Sequence, residues 1–239
     1  MRHLDDLLGS LTEMGLTSAQ MTAIVVIGSL ACIFWLYVYV KSIYVSYKQK
    51  ATCIPTFAVC LNVTWELLAS TIFEDLTPIP LWLILERLWL VFDVVILAQL
   101  FLYGRGQARV PQIKDYFSLV VCAGLVVGVL GHYTFELFCG SEPIMLPDAL
   151  VINLVMSLLF VQMYFQRTDM KGLSLSVAWC KMLGTQSNTI CMIWFVPAFY
   201  PNSGTWPFMW FLAITIGIVD CIYIYLVTTG QKALAAAPA

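Results

Sequence analysis

The chain has 239 residues, of which 61% are apolar and 11% charged, with a mean hydropathy of +0.86. A soluble domain carries about 25% charged residues, so this composition excludes an ordinary soluble domain and points to helices in a bilayer. A formal net charge of -2 is too small to imply nucleic acid or an acidic partner.

Residues 1–19 carry Asp5, Asp6 and Glu13 where a secretory signal would carry basic residues, so the first apolar run is expected to stay as an anchor. A spanning helix needs about 20 mostly apolar residues, and seven runs qualify. In chain order they are Gln20–Val40, Cys53–Phe73, Leu81–Tyr103, Phe117–Phe138, Pro147–Phe165, Leu175–Val196 and Phe208–Thr228. The connections are short, and several are marked by Pro and Gly, as at Pro78, Pro80, Gly104, Gly140 and Pro201. Neither a repeat nor a linker interrupts them. The expected architecture is therefore all-α: one seven-helix transmembrane domain over 1–239, with a short tail at 231–239. The eight cysteines lie mostly in apolar runs without a CxxC pair and read as packing residues.

Basic residues in short loops mark the cytosolic side. Lys41, Lys48 and Lys50 follow the first run; Arg105, Arg109 and Lys114 follow the third; Arg167 and Lys171 follow the fifth; Lys232 follows the last. The other side has only Arg2. These positions predict a luminal N-terminus and a cytosolic C-terminus.

An ionisable side chain in hydrocarbon costs about 2.5–3.5 kcal/mol or more, so each one needs a reason. Glu66 lies well inside the second run, and Asn62, four residues earlier, shares its helix face. Asp220 lies near the middle of the last run among Ile216, Gly217, Tyr223 and Ile224. Each is either a hydrogen bond between helices or a buried acid; a carboxylic acid kept neutral by its surroundings can donate a proton. Asp93 follows Glu86 by one heptad, and the adjacent Arg87 suits an ion pair to a neighbouring helix. His132 and Glu136, four apart, read as a local pair, Asp148 as a helix cap, and Lys181 as a snorkelling residue near the cytosolic helix end. Trp65, Trp89, Trp179 and Trp194 are the deeper tryptophans, and aromatic faces can stabilise cations. There is no phosphate-binding glycine motif, no His cluster and no aspartate-rich run to hold a diphosphate through magnesium.

Pro55, Cys60, Asn62, Trp65 and Glu66, then Gly131-His132, Met182-Leu183-Gly184 after Lys181, and Asp220 with Tyr223, together resemble the fungal membrane-bound terpene cyclases of meroterpenoid and indole-diterpene pathways, of the pyripyropene and paxilline type. The resemblance spans most of the chain as scattered short matches. It departs at Asp93, at Lys181-Met182 where Arg-Phe is usual, and at Lys171-Gly172-Leu173-Ser174, which suggests a divergent branch with a different prenyl acceptor. The resemblance implies an enzyme that cyclises an epoxidised prenyl chain attached to an aromatic, polyketide or indole head. Glu66 would protonate the epoxide, Asp220 would assist, and Asn62, Trp65, Asp93, His132 and Trp194 would support or line the pocket. It implies no metal or organic cofactor. Its partners would be the lipid bilayer and an upstream membrane prenyltransferase and epoxidase, in the endoplasmic reticulum. Two other readings remain open on the residues. A transporter should show three-helix repeats, which are not evident. A non-catalytic scaffold would tolerate amides at 66 and 220.

Overall fold

The computed structural model describes residues 12, 15–76, 80–108, 110–139, 145–199 and 206–236, and among them it is helical with no strand. Eight α-helices follow in order: α1 (Ser18–Gln49), α2 (Thr56–Ala69), α3 (Pro80–Tyr103), α4 (Pro111–Asp115), α5 (Phe117–Cys139), α6 (Leu146–Gln166), α7 (Leu175–Phe199) and α8 (Trp206–Ala236). Each of the seven expected runs overlaps a helix, and α4 is a short additional turn. Among the described residues four helices, α1, α5, α6 and α8, are long and apolar enough to cross a membrane. Of the rest, α2 has only 14 residues, and α2, α3 and α7 carry the buried Glu66, Asp93 and Lys181. Outward faces are apolar: Ile33, Val91, Val127, Leu130, Phe211 and Ile218 are all exposed. An apolar exterior of this extent suits lipid rather than water, so the chain is a membrane protein.

Two helices overrun the apolar stretches that reveal them. α1 starts in a capping box, in which Gln20 N–H donates to Thr17 Oγ1 and Thr17 N–H donates to Gln20 Oε1. It continues past Val40 to Gln49 because residues 41–49 contain neither Gly nor Pro, and it stops at Lys50 in a left-handed conformation. α8 likewise runs to Ala236, through most of the expected tail. In contrast α2 stops early, at Ser70, whose hydroxyl donates to the Glu66 carbonyl.

Packing closes a ring. α1 packs on α3, α3 on α2, α2 on α6, α6 on α8, α8 on α7, and α7 back on α1. α5 stands outside it, against α2. That contact depends on Gly124 and Gly128: a Cβ at Gly128 would collide with Thr64 Oγ1, and one at Gly124 would press on Cys60 Sγ. Small residues four apart let two backbones approach, which fixes the helix that carries Asn62 and Glu66.

The connections that carry the basic residues meet at one end. Gly172 N–H donates to Gln49 Oε1, Thr52 N–H to Gln107 Oε1, and Arg167 to Thr52 and Gln107. Three of the connections expected on one side are thus bonded to one another.

Candidate functional site

The ring encloses two buried polar centres. In the first, Asn62 and Glu66 project from one face of α2 toward Tyr39 of α1 and Asp93 of α3. Asn62 Nδ2 donates to Asp93 Oδ2 at 2.7 Å and to the Tyr39 hydroxyl oxygen at 2.9 Å. The Tyr39 hydroxyl stands 3.4 Å from Asp93 Oδ2 and 3.5 Å from Glu66 Oε1. One phenol therefore lies between two carboxyls, an arrangement able to hold and pass a proton. Glu66 is 4% exposed and Asp93 1%. Glu66 Oε2 is buried and has no hydrogen-bond partner among the described residues. A buried polar oxygen without a partner is costly.

The second centre joins α6, α7 and α8. Lys181 Nζ donates to Asp220 Oδ1 and Oδ2 at 2.9 and 3.0 Å, to Ser157 Oγ at 2.7 Å and to Asn153 Oδ1 at 3.1 Å. Lys181 and Asp220 are each 1% exposed. Lys181 therefore does not snorkel. Its ammonium is deep in the ring because Asp220 compensates its charge and Ser157 and Asn153 take up its remaining donors.

Between the centres lies a small cavity lined by Trp35, Tyr39, Asn62, Asp93, Phe160 and Lys181 among others. It encloses about 10 Å³, roughly the space one water needs. Aromatic rings surround it: Tyr39 stacks on Phe92 at 5.9 Å between centroids, and Phe160 meets Tyr223 at 5.0 Å. Glu66 and Asp220 sit one residue behind this lining, Glu66 behind Tyr39 and Asp220 behind Lys181, on opposite arcs of the ring.

The other expected site residues are placed differently. Trp65 packs with Ala69, Met145 and Ile152, away from the cavity. His132 is buried outside the cavity, where Nδ1 meets Asp148 Oδ2 at 2.7 Å and Nε2 meets the Leu61 carbonyl at 3.1 Å. Its side-chain partner is therefore Asp148 and not its helix neighbour Glu136. Asp148 correspondingly makes this cross-helix bond, while the N-cap position of α6 is Met145. These bonds tie α5 and α6 to the turn of α2 just before Asn62. Arg87 reaches Glu74 at 2.6 Å near the surface. The side chain of Trp194 lies outside the described residues. Tyr39, Asn153 and Ser157 are site residues that the sequence reading did not select. Asn153 and Ser157 had a usable signal, the same four-residue spacing as Asn62 and Glu66.

A family model described as Pyr4-like transmembrane terpene cyclases matches residues 16–232. Among curated proteins, the terpene cyclase cle7 of Aspergillus versicolor is 21% identical over 74% of this chain and 70% of its own length. The terpene cyclase janB of Penicillium janthinellum is 22% identical over 79% of this chain and 78% of its own length. The terpene cyclase macJ of Penicillium terrestre is 22% identical, over 68% of this chain and 63% of its own length. No solved structure matches the chain.

Proposed function

Since the chain belongs to the Pyr4-like transmembrane terpene cyclases, we propose that it cyclises a prenyl chain bearing a terminal epoxide and attached to an aromatic, polyketide or indole head. The observation that carries this reading is the Tyr39–Asn62–Glu66–Asp93 centre, with an unbonded carboxyl oxygen, beside an aromatic cavity.

Glu66 supplies the proton through the Tyr39 hydroxyl at the cavity wall, which gives its own proton to the epoxide oxygen as it takes up that of Glu66. A carbon–oxygen bond breaks as the π electrons of the neighbouring alkene form a carbon–carbon bond, and the cation moves along the chain. Loss of a proton from carbon restores an alkene, so the product is an isomer of the substrate. Asn62 and Tyr39 orient the acid, and Asp93, bonded to both, completes the proton network. Asp220 assists through Lys181, whose ammonium it neutralises at the cavity wall. The rings of Trp35, Tyr39 and Phe160 present π-faces to the cation, worth about 0.5–2 kcal/mol each, and exclude water that would quench it. This chemistry needs no metal or organic cofactor. The cavity has to widen to admit a prenyl chain, and the methionine Met156 in its wall is a side chain suited to repacking.

In this reading the chain is one domain of seven spans, with α2, α3 and α7 crossing despite their polar residues. Its N-terminus is luminal and its C-terminus cytosolic, in the endoplasmic reticulum, beside a prenyltransferase and an epoxidase that supply the substrate.

The test is incubation of microsomes containing the protein with epoxyprenylated aromatic and indole compounds, read by chromatography and mass spectrometry. A new product of unchanged mass, dependent on the protein, is expected. No isomer from any head class contradicts the proposal.

A further inference from the structure

A second and larger pocket opens at the end of the ring where the basic connections meet. It has a volume of about 480 Å³ and lies between α2, α5 and α6, within the range of small-molecule sites. Its walls are of two kinds. Phe57, Phe117 and Leu159 give an apolar side, and Gln162, Gln166 and Arg167 give a polar one.

Arg167 is the informative residue. Its Nη1 donates to the Lys171 carbonyl at 3.1 Å, and its Nη2 to Thr52 O, Thr52 Oγ1 and Gln107 Oε1 at 2.9–3.2 Å. All of these acceptors are neutral, and Arg167 takes part in none of the four ion pairs among the described residues. Asp169, the nearest acid in sequence, pairs with Lys171 instead. The guanidinium is thus held in place by hydrogen bonds to neutral groups, and Asp169, the acid that acts on it, does so from beyond ion-pair distance. Two amides stand beside it. A planar cation with neighbouring amides and an aromatic wall fits an oxygen-bearing ring.

The pocket and the central cavity share no lining residue but lie along the same stretch of α6. On α6, Leu159, Gln162, Met163 and Gln166 face the pocket, while Met156 and Phe160 face the cavity. Met156 and Met163 are about 10 Å apart along the helix at 1.5 Å per residue. A prenyl chain can bridge that distance with its head at one end and its tail at the other.

We propose that this pocket seats the head of the prenylated substrate, and that Arg167 selects heads with an acidic or strongly accepting oxygen. The inference rests on the cyclase reading for the identity of the ligand. It makes Arg167 a binding residue and leaves the proton chemistry to the α1–α2–α3 centre.

The test uses the full chain in phosphatidylcholine nanodiscs with two probes that lack the epoxide and cannot turn over. One is a farnesylated hydroxybenzoic acid, the other its methyl ether methyl ester. Wild type is expected to bind the free acid at least tenfold more tightly. Arg167→Leu should erase that preference and Arg167→Lys should keep part of it. Gln162→Trp, at an exposed position, should fill the pocket and weaken both probes without disturbing the loop bonds of Arg167. Equal binding of the two probes by wild type, an intact preference in Arg167→Leu, unchanged binding in Gln162→Trp, or no saturable binding each overturns the proposal. Added phosphatidic acid that blocks the pocket while the free acid cannot displace it would assign the site to a lipid phosphate and also overturn it. Turnover of the epoxide is followed in the same preparations. Cyclisation without a head preference sinks this inference alone, whereas a head preference without cyclisation of any epoxide sinks the cyclase reading alone.

Discussion

The two polar centres of the ring have opposite inventories. Around Glu66 there are carboxyls, a phenol and an amide, with no basic side chain in the hydrogen-bond set and one carboxyl oxygen unbonded. Around Asp220 there is a lysine, with both carboxylate oxygens and all the ammonium's partners in place. A group whose bonds are complete resists change more than a group with an open oxygen. In the proposed cyclisation this contrast favours the α1–α2–α3 arc for the acid step and the α6–α7–α8 arc for a charge-balanced supporting wall. It also separates two residues that the sequence presents as equivalent buried acids.

The largest expected effect breaks the balanced centre. Lys181→Met leaves Asp220 buried without a cation and should destabilise the protein by about 3–5 kcal/mol. The double change Lys181→Met with Asp220→Leu should recover most of that loss, as read by thermal unfolding in detergent. A double variant as unstable as the single would show that the pair is not what holds this arc together. On the other arc, Asp93→Asn keeps the shape but removes the second acid. Turnover should fall about 10- to 100-fold, equivalent to about 1.4–2.7 kcal/mol, with stability little changed. A smaller effect concerns the helix that carries Glu66. Gly128→Ala should cost about 1–3 kcal/mol by overpacking against Thr64, measured by unfolding. A Gly128→Ala protein as stable as wild type would mean that α5 does not set the position of α2.

Much of the α1–α2–α3 centre was legible because its signal is local. Asn62 and Glu66 are one helical turn apart in an apolar run, and charges at such depth demand an explanation. Tyr39 was not legible, because an aromatic among Tyr37, Val38 and Val40 carries no mark of polarity. Lys181 was misread because its distance from a helix end permits snorkelling, whereas its partner lies 39 residues later in the chain. Only the packing of α7 on α8 reveals the pair. His132 raised the same difficulty: Glu136 is near in sequence, but Asp148 is near in space. Helix existence followed from apolar runs, but helix ends did not: α1 extends through residues 41–49, where no Gly or Pro stops it, and α8 continues through Gly230 to Ala236.

Glu66 as the source of the proton is the step on which the proposed cyclisation turns. Its most direct test is steady-state turnover of an accepted epoxide by purified Glu66→Gln protein in nanodiscs, with thermal unfolding measured on the same sample. An amide keeps the size and hydrogen-bonding shape of the side chain but has no acid proton. A loss of at least about 10³-fold is expected, close to 4 kcal/mol of barrier, with unfolding close to that of wild type. Turnover within tenfold of wild type would contradict it and move the acid to another residue of the ring.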